Sequence, residues 1–507
     1  MITSGQLLPL AGLLFAAFVA MVIVDVPVLL HYLLVGGLAV VASLAVVVGR
    51  REVVRAVDAL PKNDLARPFS EALATWRQRT FFALGDSNFR MLYFGNIMQF
   101  ASMQMQLVVR GWLVFHLTGS YAALGTMALA NALPSLIGSP IGGVVADRAT
   151  KKTVIQSAQT YNAVNALLLA ILAAGWFGLE LQFWHLFLSA FLQGCVNSLM
   201  QPSRQSMISD LVPRERLMNA IALNSSGQTM MQLIGPAFAG FLIAVLSPSM
   251  VFLIMSMLYI GASMFTYRLP EKPLYAYAAE PAAGAASESG GREASPAPMG
   301  GRGGNGRGSG SMSDLFAGLH YVIKDPTLRM VLGVNFLIVV VAMPYTQLLP
   351  GFVSQVLHKG PAEQGLLQSL QGVGALIGAL YVASSPSRGR GRLLLICGTA
   401  MGLAVFAFST SSIFLLSLPI MIVLGFGQAG RQAMGQVLIQ EYAAPQYRGR
   451  VVSVLFMEFG LVQFGTFFVG LLAQAVGPQL ALGSLAATLV VAMGLVAVFI
   501  PRMRNLA

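Results

Sequence analysis

Fourteen apolar runs, each long enough to cross a membrane as a helix, constrain the fold of this chain more than any other feature. A helix needs about 20 mostly apolar residues to cross about 30 Å of hydrocarbon. Charged residues make up only 10% of the sequence, against roughly 25% in soluble domains. We therefore predict an all-α integral membrane protein with spans at 6–25, 29–49, 91–117, 121–145, 153–176, 181–207, 218–245, 248–268, 328–352, 361–383, 393–410, 412–438, 451–475 and 478–500.

The last twelve spans, numbered core spans 1 to 12, form two groups of six on either side of a segment rich in Gly, Ala, Ser and Pro. That segment has almost nothing apolar to bury, so it is predicted to be flexible. Two six-span bundles around one cavity are a common design of transporters, and we predict this 6+6 fold with two extra N-terminal spans. The predicted parts are an accessory N-terminal transmembrane hairpin (1–50), a cytoplasmic amphipathic connector (51–90), the first bundle (91–268), a cytoplasmic linker with a surface helix (269–327) and the second bundle (328–507).

Lysine and arginine lie almost entirely on one side of the predicted spans. With the N-terminus in the cytoplasm, 27 of the 31 basic residues fall in cytoplasmic segments, Lys359 alone falls outside, and three arginines lie within spans. Cytoplasmic loops of multi-pass proteins carry such an excess of positive charge. The asymmetry predicts a multi-pass protein of the cell's inner membrane with both termini in the cytoplasm. It also accounts for the net charge of +12 without nucleic-acid binding.

Four of the predicted spans carry a stripe of amides. In core span 1, Gln99, Gln106 and Arg110 fall within a narrow arc of the helix, with Asn96 beside them. Because core spans 1, 4, 7 and 10 hold corresponding places in the two groups, we predict that the stripes line one central substrate cavity. The alternative is that the amides hold packed helices together. The predicted cavity residues are Asn96, Gln99, Gln106, Arg110, Gln193, Asn197, Gln201, Asn335, Gln347, Gln428 and Gln432.

One acidic residue, Glu458, lies inside a predicted span. It is about seven residues into core span 11, roughly 10 Å from the start of that span. A carboxylate at that depth is costly to keep charged unless a cation pairs with it. Arg431 on the preceding span is the nearest candidate in the sequence. We predict that Glu458 and Arg431 couple transport to protons; the alternative is a static ion pair that only joins two helices.

The sequence lacks the motifs that carry enzyme chemistry. It contains no HExxH, no GxSxG and no nucleotide-binding loop, its five histidines are scattered, and its two cysteines lie in apolar runs. Without a nucleotide-binding loop, ATP hydrolysis by this chain cannot drive transport. We expect no catalytic activity, no cofactor and no metal ion.

The loop between core spans 2 and 3 carries a family signature. The stretch GGVVADRATKK, from Gly142 to Lys152, resembles G-x-x-x-D-R-x-G-R/K-R/K of the major facilitator superfamily, with Thr150 where the family usually has glycine. We predict a conformational latch in which Asp147 lies against a helix N-terminus of the other bundle, at the positive end of its dipole. The matching residues are Gly143, Asp147, Arg148, Lys151 and Lys152.

Further stretches resemble one branch of that superfamily. NFRMLYFGN, WLVFHLTGSYAALG and PSRQSMISDLVPRERLMNAIAL are similar to enterobactin-exporter-like and macrolide-efflux-like proteins. The resemblance covers about 80–270 and 312–505 and leaves out the two N-terminal spans, which twelve-span members lack. It implies export of a small molecule by alternating access, driven by the proton gradient.

The expected function is therefore proton-coupled secondary export of amphipathic small molecules, such as drug-like compounds or siderophore-like metabolites. The expected partners are this substrate, protons and membrane lipid, with no nucleic acid, and the chain is expected to be a monomer. Two alternatives keep the same fold. A flippase for lipids or lysophospholipids needs a similar polar cavity, and a receptor or scaffold would keep the fold without transport.

Overall fold

The computed structural model describes residues 81–148, 150–275, 312–385, 389–444, 447–504 and 506. The predicted hairpin, most of the connector and most of the linker lie outside these residues. Within them the chain is helical, with no β-strand. The α-helices of the described residues are α1 (Ser87–Thr118), α2 (Tyr121–Arg148), α3 (Lys151–Ala173), α4 (Phe183–Leu211), α5 (Arg214–Val245), α6 (Pro248–Tyr267), α7 (Met312–Lys324), α8 (Pro326–Ala342), α9 (Tyr345–Gln355), α10 (Pro361–Ser384), α11 (Arg390–Thr410), α12 (Phe414–Tyr442), α13 (Arg448–Phe456), α14 (Glu458–Val476), α15 (Pro478–Phe499) and α16 (Pro501–Arg504).

Cap residues set the ends of several helices. The Asp86 side chain accepts hydrogen bonds from the N–H groups of Asn88 and Phe89, at 2.9 and 3.2 Å, where α1 begins. Gly119 follows α1 with a φ of 62°, a left-handed conformation that glycine adopts without steric cost. Asp325 caps α8 as Asp86 caps α1. Such caps satisfy N–H and C=O groups that have no partner within their own helix.

Seven helical segments in the described part of the chain are long and apolar enough to cross a membrane. Helices α1 and α4 are longer than most of these, at 32 and 29 residues, but they carry polar stripes that lower their mean hydropathy. The chain is thus a multi-pass helical membrane protein, and the total of fourteen spans stays a prediction. The seven segments are Arg214–Val245, Pro248–Tyr267, Pro326–Gln355, Pro361–Ser384, Arg390–Thr410, Phe414–Tyr442 and Pro478–Phe499.

The helices of core spans 7 and 11 are each interrupted once. In core span 7 the interruption lies at Met343 and Pro344, because proline has no N–H to continue the helical ladder. In core span 11 the Met457 N–H bonds to the carbonyl of Val454, three residues back rather than four. This tight turn separates α13 from α14 and makes Glu458 the first residue of α14. Each of these two predicted spans therefore consists of two shorter helices.

Helices α1 to α6 pack together as one half of the molecule, and α7 to α16 as the other. In the first half α1 packs against α5 and α6, α2 against α4, and α3 against α4 and α6. In the second half α10 packs against α12, α11 against α12 and α15, and α8 against α12 and α14. Helix α7, predicted to lie on the membrane surface, packs against α13, with the rings of Tyr321 and Tyr447 stacked 4.3 Å apart. Two helix pairs make the largest contacts between the halves: α2 with α14, and α5 with α10. Helix α9 also contacts α1 and α2 across the interface.

Both joining pairs are in close contact at the end of the molecule where α1 ends and α2 begins, called the closed end. Gly125 of α2 faces Gly470 of α14, and a Cβ on Gly470 would lie 2.7 Å from the carbonyl oxygen of Tyr121. Gly240 of α5 faces Gly365 of α10 with no room for a Cβ on either residue. Helix backbones approach this closely where side chains are small or absent. The two halves are therefore in direct backbone contact at the closed end.

A side chain of one half caps a helix of the other half at the closed end. The Gln474 Oε1 atom of α14 accepts hydrogen bonds from the Tyr121 N–H at 2.9 Å and from the Ser120 hydroxyl at 3.0 Å. The Ser120 Oγ atom also accepts a hydrogen bond from the Ala123 N–H at 3.3 Å. The first N–H groups of a helix have no partner within that helix. The Gln474 side chain supplies such a partner to the first N–H group of α2 from across the interface.

The opposite end of the molecule, where α2 ends and α3 begins, is called the basic end. There the Lys151 Nζ atom lies 2.7 Å from Asp210 Oδ2, which joins the first residue of α3 to the end of α4. In the second half the Arg390 Nη1 atom lies 2.6 Å from Glu441 Oε2, which joins the first residue of α11 to the end of α12. The two halves thus carry equivalent ion pairs, one Lys–Asp and one Arg–Glu, between their third and fourth core spans.

Candidate substrate cavity

A cavity of about 210 Å³ is lined by residues of both halves of the molecule. Much of its wall is apolar and includes Met103, Leu107, Val114, Leu124 and Met127. The polar part of the lining consists of Gln106 and Arg110 from α1, Asn131 from α2, Gln193 and Asn197 from α4, Gln347 from α9 and Gln463 from α14. Any movement of one half against the other changes the shape of this cavity, because each half supplies part of its wall.

Five of the eleven predicted cavity residues lie on this lining: Gln106, Arg110, Gln193, Asn197 and Gln347. They come from three of the four predicted stripes, those of core spans 1, 4 and 7. Helical periodicity alone placed them on one face of each span. The structure brings those faces together around one space.

Two other predicted cavity residues form amide contacts between neighbouring helices instead. The Asn96 Nδ2 atom of α1 donates to Asn224 Oδ1 of α5 at 2.7 Å. The Gln371 Nε2 atom of α10 donates to Gln428 Oε1 of α12 at 2.6 Å. These contacts fit the alternative in which amides hold packed helices together.

The remaining four predicted cavity residues are not on the described lining either. Gln99 is buried, and its Oε1 atom has no hydrogen-bond partner among the described residues. Gln201 accepts a hydrogen bond from Arg204 Nη2 at 3.2 Å. Asn335 belongs to a separate buried network in the second half, and Gln432 is exposed.

Arg110 is held inside the first half by neutral side chains. Its Nη2 atom donates to Gln193 Oε1 at 2.8 Å and to Ser189 Oγ at 3.3 Å, both on α4. The residue is only 7% exposed, so it does not reach the membrane surface as a snorkelling arginine would. Its Nε atom is buried without a partner among the described residues. The guanidinium therefore lies at the cavity with part of its hydrogen-bonding capacity unused.

The acceptors around Arg110 belong to a larger network of uncharged groups. The Gln193 Nε2 atom donates to Gln106 Oε1, which also accepts from the Tyr259 hydroxyl at 3.3 Å. The Ser189 Oγ atom accepts from Asn165 Nδ2 at 2.9 Å. Each of these groups is neutral, so the network orients Arg110 without neutralising its charge.

A second buried arginine of the first half, Arg204, lies away from the cavity lining. It is 5% exposed and stacks on the Phe100 ring, with Cζ 4.4 Å from the ring centroid. Its Nη1 atom has no partner among the described residues. In the part of the chain that the structure describes, no carboxylate lies within ion-pair distance of either Arg110 or Arg204.

The second half holds its buried arginine in a charged network. The Glu458 Oε2 atom accepts hydrogen bonds from Arg431 Nη1 and from Asn335 Nδ2, each at 2.9 Å. The Asn335 Oδ1 atom accepts from Arg431 Nη1 at 2.7 Å. The side chains of Arg431 and Glu458 are 4% and 7% exposed. This network joins α8, α12 and α14, and its residues are not on the cavity lining.

The predicted latch lies partly outside what the structure describes. Gly143, Asp147 and Arg148 fall in a stretch of α2 whose side chains are not described. Lys151 forms the ion pair at the start of α3, and Lys152 lies 5.4 Å from the centroid of the Tyr267 ring. Both lysines therefore bind groups of their own half, and the contact proposed for Asp147 stays a prediction.

Two polar residues on the lining, Asn131 and Gln463, were not among the predicted cavity residues. They lie on core spans 2 and 11, where the prediction considered the first and fourth spans of each half. Each is an amide within an apolar span, which is costly unless it is bonded or faces water. A search for single amides in each span, rather than for stripes, would have found both.

Two packed halves of transmembrane helices around a shared cavity are the common design of membrane transporters. The family comparisons agree with that class. The model described as "Transmembrane secretion effector" matches residues 78–272, and the model described as "Major Facilitator Superfamily" matches residues 330–506. The chain belongs to the major facilitator superfamily, which confirms the family resemblance predicted from its motifs.

Several curated bacterial proteins are similar to the chain at low identity. The multidrug efflux pump Tap of Mycolicibacterium fortuitum is 24% identical over 82% of this chain and 96% of Tap. Macrolide efflux protein A of Streptococcus pyogenes is 22% identical over 72% of this chain and 86% of its own length. A match to the uncharacterized MFS-type transporter YfiS of Bacillus subtilis, at 24% identity, covers 31% of this chain and 36% of that protein.

A solved structure shows the same fold. The nucleoside transporter NupG superposes with a TM-score of 0.60 at 16% sequence identity. The superposition covers 82% of this chain and 99% of NupG. At this identity the likeness supports the arrangement of the helices alone.

Proposed function

We propose that the protein exports amphipathic small molecules across the inner membrane by alternating access, with protons as the coupling ion. The observation that carries this proposal is the cavity shared by both halves, with an apolar wall and a polar lining. Such a wall suits a molecule with both apolar and hydrogen-bonding parts. The names of Tap and of macrolide efflux protein A support the outward direction.

Alternating access requires the halves to separate at one end and to close at the other. The glycine contacts between α2 and α14 and between α5 and α10 keep the closed end shut in this structure. The positive-inside rule favours a cytoplasmic position for the basic end. On that orientation the substrate enters the cavity from the basic end and leaves after the closed end opens.

Glu458 is the proposed proton carrier. Its charge is balanced by Arg431 at 2.9 Å, so the ionised form is stable only while this pair persists. Protonation neutralises the carboxyl group and releases Arg431 from it. Because Glu458 begins α14, and α14 packs against α2, this change acts on a helix that joins the two halves.

The remaining parts of the proposal concern the accessory segments. The hairpin at 1–50 is proposed to be dispensable for transport, because its predicted spans carry few polar groups. The latch formed by Asp147 and its neighbours is proposed to hold the basic end shut when the closed end opens. The chain is proposed to act as a monomer.

Counterflow in proteoliposomes tests whether the protein transports at all. Vesicles with purified full-length protein are loaded with unlabelled compound and diluted into the labelled compound, and transient accumulation is measured. Accumulation of a small amphipathic compound supports the proposal. Movement of a labelled lysophospholipid in its place would favour the flippase, and no movement of either would favour a receptor or scaffold.

The Glu458→Gln variant tests the coupling. We expect it to exchange substrate but to lose accumulation driven by an imposed pH gradient. Glu441→Gln is the matched control, since it also replaces an arginine-paired carboxylate but lies at the basic end. Full gradient-driven accumulation by Glu458→Gln would remove this residue from the coupling step.

A further inference from the structure

We propose that the cavity binds an organic anion, with a carboxylate of the substrate paired to Arg110. This inference rests on the proposed transport function and names its substrate class. Arg110 is the one charged residue on the described lining. Its position at the cavity makes it available to a molecule that enters there.

The first argument is the missing counter-ion. Arg110 is only 7% exposed, and its described partners are an amide and a hydroxyl. A buried charge is costly unless an opposite charge and hydrogen bonds compensate it. Arg431 in the other half shows that compensation, with Glu458 at 2.9 Å. An uncompensated cation is tolerable at Arg110 if the substrate brings the anion.

The second argument is geometric. A guanidinium has five N–H donors in a planar fork that fits the two oxygens of a carboxylate. In Arg110 the Nη2 atom makes both described hydrogen bonds, while the buried Nε atom has none. The network through Gln193 and Gln106 fixes the fork from the α4 side. Donor capacity is therefore left over on a side chain that is already oriented.

The rest of the cavity lining indicates what chemical group carries the carboxylate in the expected ligand. Leu107, Val114 and Met127 offer apolar contact, whereas Gln347 and Gln463 offer amides from the other half. The volume of about 210 Å³ accepts a compact group, such as a fused aromatic ring with a short acidic arm. The expected ligand is an amphipathic carboxylate, and an organic cation is repelled by Arg110.

Binding of three related probes tests the inference. The probes are naphthylacetate, its methyl ester and naphthylethylamine, which share one ring and differ in charge. Their affinities are measured by equilibrium binding to full-length protein in nanodiscs. We expect the carboxylate to bind about tenfold more tightly than the ester and the amine to bind more weakly than either. Equal binding of carboxylate and ester, preference for the amine, or no binding of the carboxylate would overturn the inference.

Three variants locate the charge. Arg110→Gln is expected to bind carboxylate and ester equally, with the affinity for the ester unchanged. Arg204→Gln is the matched control, because Arg204 is also a buried arginine of the first half but is not on the lining, and it should keep the preference for carboxylate. Arg110→Lys keeps a cation without the fork and is expected to keep part of the preference. A preference that persists in Arg110→Gln would overturn the assignment.

Counterflow with the same probes separates this inference from the proposed function. Selective, Arg110-dependent binding of naphthylacetate without counterflow would support the anion site and overturn transport. Counterflow of the ester or the amine at least as fast as that of the carboxylate would support transport and overturn the anion site.

Discussion

The two halves of this transporter treat their buried arginines differently. In the first half, Arg110 and Arg204 have no described carboxylate within ion-pair distance. In the second half, Arg431 pairs with Glu458 and both bond to Asn335. One half thus holds buried positive charge without a described counter-ion, which we propose a ligand balances. The other half holds a balanced pair, which we propose a proton disturbs.

The two halves are alike in their ion pairs at the basic end and in part of their helix packing. Lys151 pairs with Asp210 in the first half as Arg390 pairs with Glu441 in the second, each joining the third core span to the end of the fourth. The packing of the second core span on the fourth, as α2 on α4 and α10 on α12, is also repeated. The comparison shows that helix packing and the ion pairs at the basic end repeat in both halves, whereas the surroundings of the buried arginines differ.

The Arg431→Met variant should show the largest loss of stability. It removes the cation and leaves Glu458 buried without its partner, which costs about 3–5 kcal/mol. Thermal unfolding of the purified protein in detergent measures the change. Arg204→Met is the control, because it removes a buried cation that leaves no carboxylate behind, and its midpoint should change little. Equal losses in the two variants would refute the distinction between the halves.

Gln193→Glu gives the first half the counter-ion that it lacks. The new carboxylate takes the place of Gln193 Oε1, which lies 2.8 Å from Arg110 Nη2. A charge-assisted hydrogen bond to Arg110 exceeds a neutral one by about 1–2 kcal/mol, but the variant loses the hydrogen bond that the Gln193 Nε2 atom donates to Gln106 Oε1. We therefore expect weaker naphthylacetate binding as the main effect, with a small change in the unfolding midpoint. Gln371→Glu, whose partner is the Gln428 amide, serves as the control without a cation. Unchanged naphthylacetate affinity in Gln193→Glu would count against the anion site.

The ion pairs at the basic end should give the smallest and most equal effects. Asp210→Asn and Glu441→Gln each break a partly exposed pair, and such pairs contribute about 0–1 kcal/mol. Unfolding midpoints at low and high salt measure both, and the loss should shrink at high salt because salt screens exposed charges. A loss several times larger in one half would show that the two pairs are not equivalent.

The sequence predicted the family, the helical class and the faces of several helices, but not which faces meet. Periodicity placed Gln106 and Arg110 on one side of α1, and the structure places both at the cavity. The same periodicity could not tell that Asn96 bonds to Asn224 on α5, because the partner is 128 residues away. The spacing of polar residues shows which face of a helix they share, but only the packing of the helices shows which other helix that face contacts.

The network around Glu458 shows the same limit. Depth in the membrane and position on adjacent spans suggested Arg431 as its partner, and the two side chains lie 2.9 Å apart. The third member, Asn335, was predicted as a cavity residue instead. The turn at Met457 was missed because no proline or glycine marks it, and it depends on one backbone hydrogen bond to Val454.

The cap that Gln474 provides at the start of α2 has a consequence for how the gate could be observed. The Tyr121 N–H is protected by an atom of the other half, so its protection against hydrogen–deuterium exchange depends on the contact between the halves. In the proposed mechanism, opening of the closed end breaks this bond and frees the first turn of α2, whereas the cap of α1 by Asp86 lies within its own half and is kept. The exchange rate of the Tyr121 amide would therefore report how often the closed end opens, in the absence of substrate and without a chemical probe attached to the protein.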